Sequence, residues 1–165
     1  MLSSVVALVL VSLTLWHLVT SRILSAWDDP ALDKPGGPPA VAVLPFHAAS
    51  DGEPLGDEIA EDLIAHLSEL DSFPVVARDE SFVYRTGAVD AKRVGRALAV
   101  RYVVEGDVLR AGDRIGLQVR VFDARTARPV WAEELEIEPA ELAAAQQRLA
   151  RLVASAVLLD ARPSP

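Results

Sequence analysis

The sequence predicts an α/β (α+β) sandwich: a mixed β-sheet with a β-hairpin and about three helices, preceded by one transmembrane helix. Three observations lead there. Arg101 to Asp123 reads RYVVEGDVLRAGDRIGLQVRVFD, two β-rich runs around a turn at Ala111-Gly112-Asp113. Short apolar runs, such as VAVLPF from Val41 to Phe46, alternate with amphipathic stretches, such as LGDEIAEDLIAHLSEL from Leu55 to Leu70. Met1 to Ser21 is rich in Leu and Val and carries no charged side chain.

Met1–Leu24 is read as a membrane anchor (residues 1–24). Helical rise extends 21 residues to about 31 Å, against a hydrocarbon thickness of roughly 30 Å. A signal peptide or a buried core helix are the alternatives. A signal peptide should open with a basic stretch, and this chain opens MLSS. His17 lies inside the segment without an ionisable partner nearby and reads as interfacial. Arg22 is the one basic residue beside the span and weakly favours a cytoplasmic body. Residues 25–39 form a Pro/Gly-rich linker, most of it in the run DDPALDKPGGPPA from Asp28 to Ala40, and residues 40–160 form the globular domain.

Val41 to Phe46 is continuously apolar, fit for a buried strand whose pairing Pro45 should end. His47 to Pro54 reads as a loop. A helix from Leu55 or Asp57 to Leu70 puts Ile59, Leu63, Ile64, Leu67 and Leu70 on one face. Asp57, Glu58, Glu61 and Asp62 crowd its first turns, where the helix dipole favours negative charge. Phe73 to Ala77 reads as a second strand, with Arg78 to Tyr84 leading out of it. Asp90 is placed to cap a helix through about Ala99, with Val94, Ala97 and Leu98 inward. Gly95 within it costs about 1 kcal/mol relative to Ala, which a close approach to a neighbouring strand would explain.

In the hairpin, Tyr102 to Arg110 is apolar at its start, as a central strand would be. Ile115, Leu117, Val119 and Val121 alternate with more polar residues, the period of a sheet with one buried face. Gly112 can supply the positive φ of a three- to five-residue loop. Pro129 to Leu135 forms the next strand, with Trp131 covering the sheet. The last helix starts near Pro139, a suitable first-turn residue, and Leu142, Leu149, Leu152, Val153, Ala156 and Val157 make its apolar stripe. The order is β-α-β-α-β-β-β-α.

Composition excludes several chemistries. The 165 residues carry a net charge of −8 and no cysteine. Disulfides, thiolate metal sites and cysteine nucleophiles are therefore excluded, and a broad nucleic-acid-binding surface does not fit the acidic balance. His47 and His66 are the only histidines after the anchor, and neither sits in a nucleophile-elbow or HExxH context. No phosphate-cradling glycine loop opens a helix. The acidic cluster of the first helix lacks ligands to complete a metal site. No catalytic residue, cofactor or metal is expected.

What remains is charge and aromatic surface. Glu133, Glu134, Glu136, Glu138 and Glu141 follow the hairpin, while Arg110, Arg114, Arg120, Arg125 and Arg128 lie on or beside it. They read as a solvated sheet edge with weak cross-strand ion pairs, or as a docking face whose edge accepts a partner strand. The candidate binding residues are Phe46, His47, Tyr84, Arg110, Arg114 and Trp131, each aromatic one reading equally well as core.

These segments carry a resemblance. VAVLPF, LGDEIAEDLIAHLSEL and FPVVARDESFVY are one half; AKRVGRALAVRYVVEGDVLRAGDRIGLQVRVFDARTARPVWAEEL is the other. Together, over about Ala40 to Leu159, they resemble the TolB amino-terminal-like domain, the FlgO-like and CsgG-related group of bacterial envelope modules. The resemblance implies a non-enzymatic domain with a mixed sheet and helices on one side. In such relatives it lies beyond a membrane span, in proteins whose other part is a winged-helix DNA-binding domain or a nucleotide cyclase, often with tetratricopeptide repeats after it. Here neither an output domain nor repeats accompany it, so the accessory domain alone on an anchor is expected. The expected role is a membrane-anchored module, bound to the bacterial inner membrane with its body in the periplasm, that binds a protein partner in the cell envelope or supports assembly and signalling. A periplasmic small-molecule or cell-wall-fragment sensor, or a remnant of a transmembrane regulator or cyclase-associated protein, is the alternative. The sequence does not specify an oligomeric state.

Overall fold

A computed structural model describes residues 39–48, 53–85 and 90–162, all within one compact unit, Leu32–Pro165. The expected anchor, and the expected linker up to residue 38, lie outside the described residues. Among the described residues no helix is long and apolar enough to cross a membrane.

The strands are β1 (Val41–Val43), β2 (His47–Ala48), β3 (Tyr102–Ala111), β4 (Arg114–Asp123) and β5 (Arg128–Ile137). The helices are α1 (Glu53–Glu69), α2 (Arg78–Ser81), α3 (Ala91–Leu98) and α4 (Leu142–Asp160). Tight 3-10 turns occupy Phe82–Tyr84 and Pro139–Glu141. The sheet runs β1-β3-β4-β5, with β2 also on β3; β1 and β2 are parallel to β3, and the other pairs are antiparallel. It is thus the expected mixed α+β sheet, with four helices among the described residues rather than about three.

Alternation fixes the two faces. Val41, Val43, Tyr102, Val104, Val108, Ile115, Leu117, Val119 and Val121 pack on Ile59, Leu63 and Leu67 of α1 and Leu149, Val153 and Val157 of α4. Both helical triplets are spaced i, i+4, i+8, one apolar stripe per helix. Gln146, buried in that stripe, donates from Nε2 to Asp62 Oδ2 at 2.8 Å and pins α4 to α1. Among the described residues, the other sheet face is covered only near one end. There α3 packs Ala91 and Val94 against Ala42, Leu44, Val103 and Ala124. Helices on one side only is therefore corrected: the 3.6 spacing of Ala91, Val94 and Gly95 gives α3 an apolar stripe of its own. Ala97, expected inward, is exposed on the flank of that stripe.

Asp90 caps α3 as expected, its Oδ1 accepting from Lys92 N at 3.0 Å and Arg93 N at 3.4 Å. Gly95 lies where a Cβ would come 2.2 Å from Ala124 Cβ, in the turn after β4. The hairpin loop has two residues, not three to five, because Ala111 and Arg114 pair across it. Gly112 (φ 62) takes its first central position, the arrangement of a II′ turn.

Two further expectations are corrected, and a third segment gains a structure. His47–Ala48 is not loop: Pro45 interrupts the ladder, but the chain rejoins β3 with one extra residue, four steps from Val43 to His47 against three from Val104 to Asp107. Phe73–Ala77 makes a single bridge rather than a strand, Val75 opposite Val41, since Pro74 has no N–H to donate. Val41 N donates to Pro74 O at 3.0 Å and Val76 N to Val41 O at 2.9 Å. Arg78–Tyr84 is helical, first α and then 3-10.

Candidate functional site

The sheet's second face is open beyond α3. Its register aligns His47, Asp107, Gln118 and Glu134 across four strands. Beside that row run Glu105, Arg120 and Ala132 on one side and Leu109, Gly116 and Glu136 on the other. Arg120 Nη2 donates to Asp107 Oδ2 at 2.7 Å, and Arg114 reaches Glu136 at 3.4 Å and Glu138 at 3.8 Å. Burial pushes the Glu105 carboxyl above its ordinary value; Arg120 opposes this and Asp107 adds to it. The face is charged, mostly acidic and stiff, carried on strands rather than loops. Leu109, 64 % exposed, is its one large aliphatic side chain.

β5 ends the sheet. A register shift between Val121 and Phe122 leaves Val130 as an extra residue beside Pro129, the kind of irregularity that lets proline sit on an outer strand. Trp131 and Leu135 turn toward the helix-covered side and remain half-buried, packed against the main core.

The six sequence-predicted residues do not converge. Phe46 is core, its ring lying over Gly106, where a Cβ would come 2.5 Å from ring carbon Cδ2. Tyr84 is half-buried in the cluster on the opposite face. His47 is exposed on β2 opposite Asp107. Arg110 and Arg114 are exposed at the hairpin end, on opposite faces by alternation. Trp131 is on the outer strand. His47, Arg114 and Trp131 thus border the open face and edge, while Phe46 and Tyr84 are structural.

Two clusters escaped the sequence reading. Asp57 and Glu61, attributed to the helix dipole, pair with Arg85 at 2.6 Å and Arg78 at 2.9 Å. Those arginines lie over the Phe82 ring, 4.5 Å (Arg78) and 5.6 Å (Arg85) from its centroid. Asp57 and Arg85, 28 positions apart, gave no local signal. At the other pole, Tyr102 Oη donates to Asp160 Oδ2 at 2.7 Å, and Arg101 approaches Asp160 at 3.4 Å and Asp123 at 3.6 Å. Burial raises Tyr102 well above the usual phenol range, and its bond to Asp160 adds to this. Burial alone would raise Asp123; hydrogen bonds from the Arg125 side chain and backbone, with the charges of Arg125 and Arg101, outweigh it and hold the carboxyl low. Both clusters join elements of the fold. Among the described residues no three His, Asp or Glu side chains are grouped to hold a metal ion.

Comparison with known proteins matches residues 39–152 to the family described as HilA/YgeH-like transcriptional regulator, second domain. A Rhizobium meliloti (strain 1021) protein named "Putative adenylate cyclase 3" is 37% identical over 123 residues, covering 72% of this chain. The chain spans only 21% of that relative's length. Among solved structures, TolB from Acinetobacter baumannii superposes with a TM-score of 0.55 at 16% identity, over 74% of this chain and 29% of TolB. A lipoprotein from Neisseria meningitidis gives 0.53 at 14% identity, over 72% of this chain and 99% of the other. A Xanthomonas campestris protein gives 0.55 at 12% identity, over 79% and 94%. The fold is TolB-like, as the sequence resemblance implied.

Proposed function

We propose, from the premise that this chain belongs to the HilA/YgeH-like transcriptional regulator second-domain family, that its body is a non-enzymatic module which binds a protein partner and supports assembly or signalling in the bacterial envelope. The observation that carries this reading is the uncovered half of the sheet. A rigid charged face and a ten-residue outer strand are presented together, at low conformational cost to a partner. The family description supports it, since it names one domain of a regulator. The FlgO-like, CsgG-related placement, the anchor at 1–24 in the inner membrane, the linker at 25–39 and a periplasmic body complete the reading.

The cyclase relative favours a second reading, in which the body is the accessory part of a nucleotide-cyclase signalling protein. Formation of cyclic AMP from ATP by the purified chain would go further and overturn the non-enzymatic assignment.

The test has two parts. Arg93→Cys places a thiol on the exposed side of α3 in a chain that has no other cysteine. In cells with a permeable outer membrane, a membrane-impermeant maleimide should label it before lysis; labelling only after lysis would move the body to the cytoplasm. Photo-crosslinking side chains at the exposed positions Ala132, Arg93 and Arg151 should then give a discrete adduct from at least one site in living cells. No adduct from any of them would end the protein-binding reading.

A further inference from the structure

We propose that β5 is a docking edge for an extended partner segment that alternates apolar with basic residues and adds to the sheet as a further antiparallel or parallel strand. The proposal rests on the protein-binding reading above and names the partner's chemistry.

β5 is ten residues long, and among the described residues only β4 pairs with it. The backbone N–H and C=O groups along its outer side therefore face water or an incoming strand. Its two parities differ chemically. Trp131 and Leu135 point to the helix-covered side, yet stay half-buried because the sheet stops there. Ala132, Glu134 and Glu136 point to the open face and are exposed. An added strand with apolar side chains at one parity would cover Trp131 and Leu135. Lysine or arginine at the other parity would stand opposite Glu134 and Glu136. Glu136 already has Arg114 at 3.4 Å, but Glu134 has no ion-pair partner among the described residues.

The same charges disfavour a second copy of this chain. Pairing β5 with itself, antiparallel about a twofold axis at Leu135, would set Glu134 against Glu136 of the second copy and Glu136 against its Glu134. Pro129 at the register shift, and Glu133 on the helix-covered side with Arg148 4.0 Å away, further guard the edge against self-association. The edge is selective rather than blocked: it repels an acidic strand and attracts a basic one.

The probe is a fluorescein-labelled nonapeptide of alternating lysine and valine, titrated onto the full chain in non-ionic detergent and read by anisotropy. Three companions keep its length: one with glutamate in place of lysine, and two N-methylated at alternate residues, one on each edge. The lysine peptide should bind, the glutamate peptide at least about tenfold more weakly, and one of the N-methylated peptides should lose binding. Glu134→Lys with Glu136→Lys should weaken binding about tenfold, whereas Glu58→Lys with Glu80→Lys, an equal charge change on α1 and α2, should leave it nearly unchanged. The peptide contrasts need no variant, so a misfolded double variant leaves the test intact. Absence of binding, binding indifferent to every N-methylation, or equal weakening by both double variants overturns the proposal. Binding lost together with a dimer of the chain would give the edge to a second copy and overturn it too. A cellular crosslink from Arg93 or Arg151 with no peptide binding would sink the edge while sparing the protein-binding reading.

Discussion

Replacing Gly95 by alanine sets two rules of protein chemistry against each other, and the structure decides the sign. Gly95 lies inside α3, where glycine costs about 1 kcal/mol relative to alanine, so helix propensity alone makes Gly95→Ala stabilising. The new Cβ, however, would sit 2.2 Å from Ala124 Cβ and 3.0 Å from Val100 O. Both neighbours are held by backbone: Val100 N donates to Gly95 O at 2.9 Å, and Ala124 N to Arg101 O at 2.8 Å. Neither can move without disturbing the connection from α3 into β3 or the turn after β4. Forcing one methyl into a packed site costs about 1–3 kcal/mol, and rigid neighbours place this site toward the upper end. The net expectation is a loss of about 1–2 kcal/mol, or roughly 4–8 °C in melting temperature for a domain of this size. Thermal unfolding of the full chain, followed by near-ultraviolet circular dichroism, measures it. Adding Ala124→Gly removes the 2.2 Å contact and should restore part of the loss, with a coupling of about 1 kcal/mol or more between the two positions. A melting temperature for Gly95→Ala equal to or above that of the parent would refute the packing argument.

Gly106→Ala should also destabilise, by about 1–3 kcal/mol, because its Cβ would meet Phe46 ring carbons at 2.5–2.6 Å; Phe46→Leu in the same chain should relieve part of it, read by urea midpoints. Tyr102→Phe should cost about 1 kcal/mol by removing the buried hydroxyl that donates to Asp160, again read by urea unfolding. Glu105 titrates above its unfolded value, so its ionisation opposes folding, and the penalty grows as pH rises from the unfolded value through the folded one. Glu105→Gln should therefore gain stability at neutral pH relative to the parent, with the gain fading as pH falls below that window. Asp123 titrates below its unfolded value, so its contribution is present above that value and is lost as pH falls through the folded one. Asp123→Asn should flatten the acid limb of a stability–pH curve; an unchanged acid limb would remove Asp123 from the account.

Local periodicity made most of the architecture legible. The β3–β4 hairpin, the capping role of Asp90 and the stripes of α1 and α4 follow from spacings of two to four residues, and each reappears with its partners in place. What was not legible depended on a partner far along the chain. His47–Ala48 becomes strand because β3, sixty positions later, supplies the ladder. The acidic turn of α1 reads as a dipole effect until Arg78 and Arg85 fold back on it. Aromatic residues misled in another way: Phe46 and Tyr84 look like contact residues, but only the glycine at position 106 and the second core cluster show where they are placed. The acidic run after the hairpin was legible as charge, whereas its division into two parities, Glu133 toward α4 and Glu134 with Glu136 on the open face, required the β4–β5 register.

The poles of the body separate its joints from its presenting surface. At one pole Ala40 O accepts from both Arg101 N and Tyr102 N at 3.1 Å. At the same residues the last turn of α4 is held, through Asp160 to Tyr102 Oη at 2.7 Å. The described body therefore starts and finishes on one dipeptide, its two ends close together as in many compact domains. The opposite pole carries the Gly112 turn, Arg114 and the last residues of β5. A strand bound along β5 would run from the joint toward that free pole, and its binding energy would reach Trp131 on the outer strand and, through the sheet, the Val121–Val104 layer beneath α1 and α4. Binding at the edge would accordingly stiffen the sheet without pulling on the joint. The measurable consequence is slower amide exchange in β5 and β4 on adding the lysine–valine peptide, with exchange at Arg101 and Tyr102 unchanged; protection confined to Arg101 and Tyr102 would contradict it.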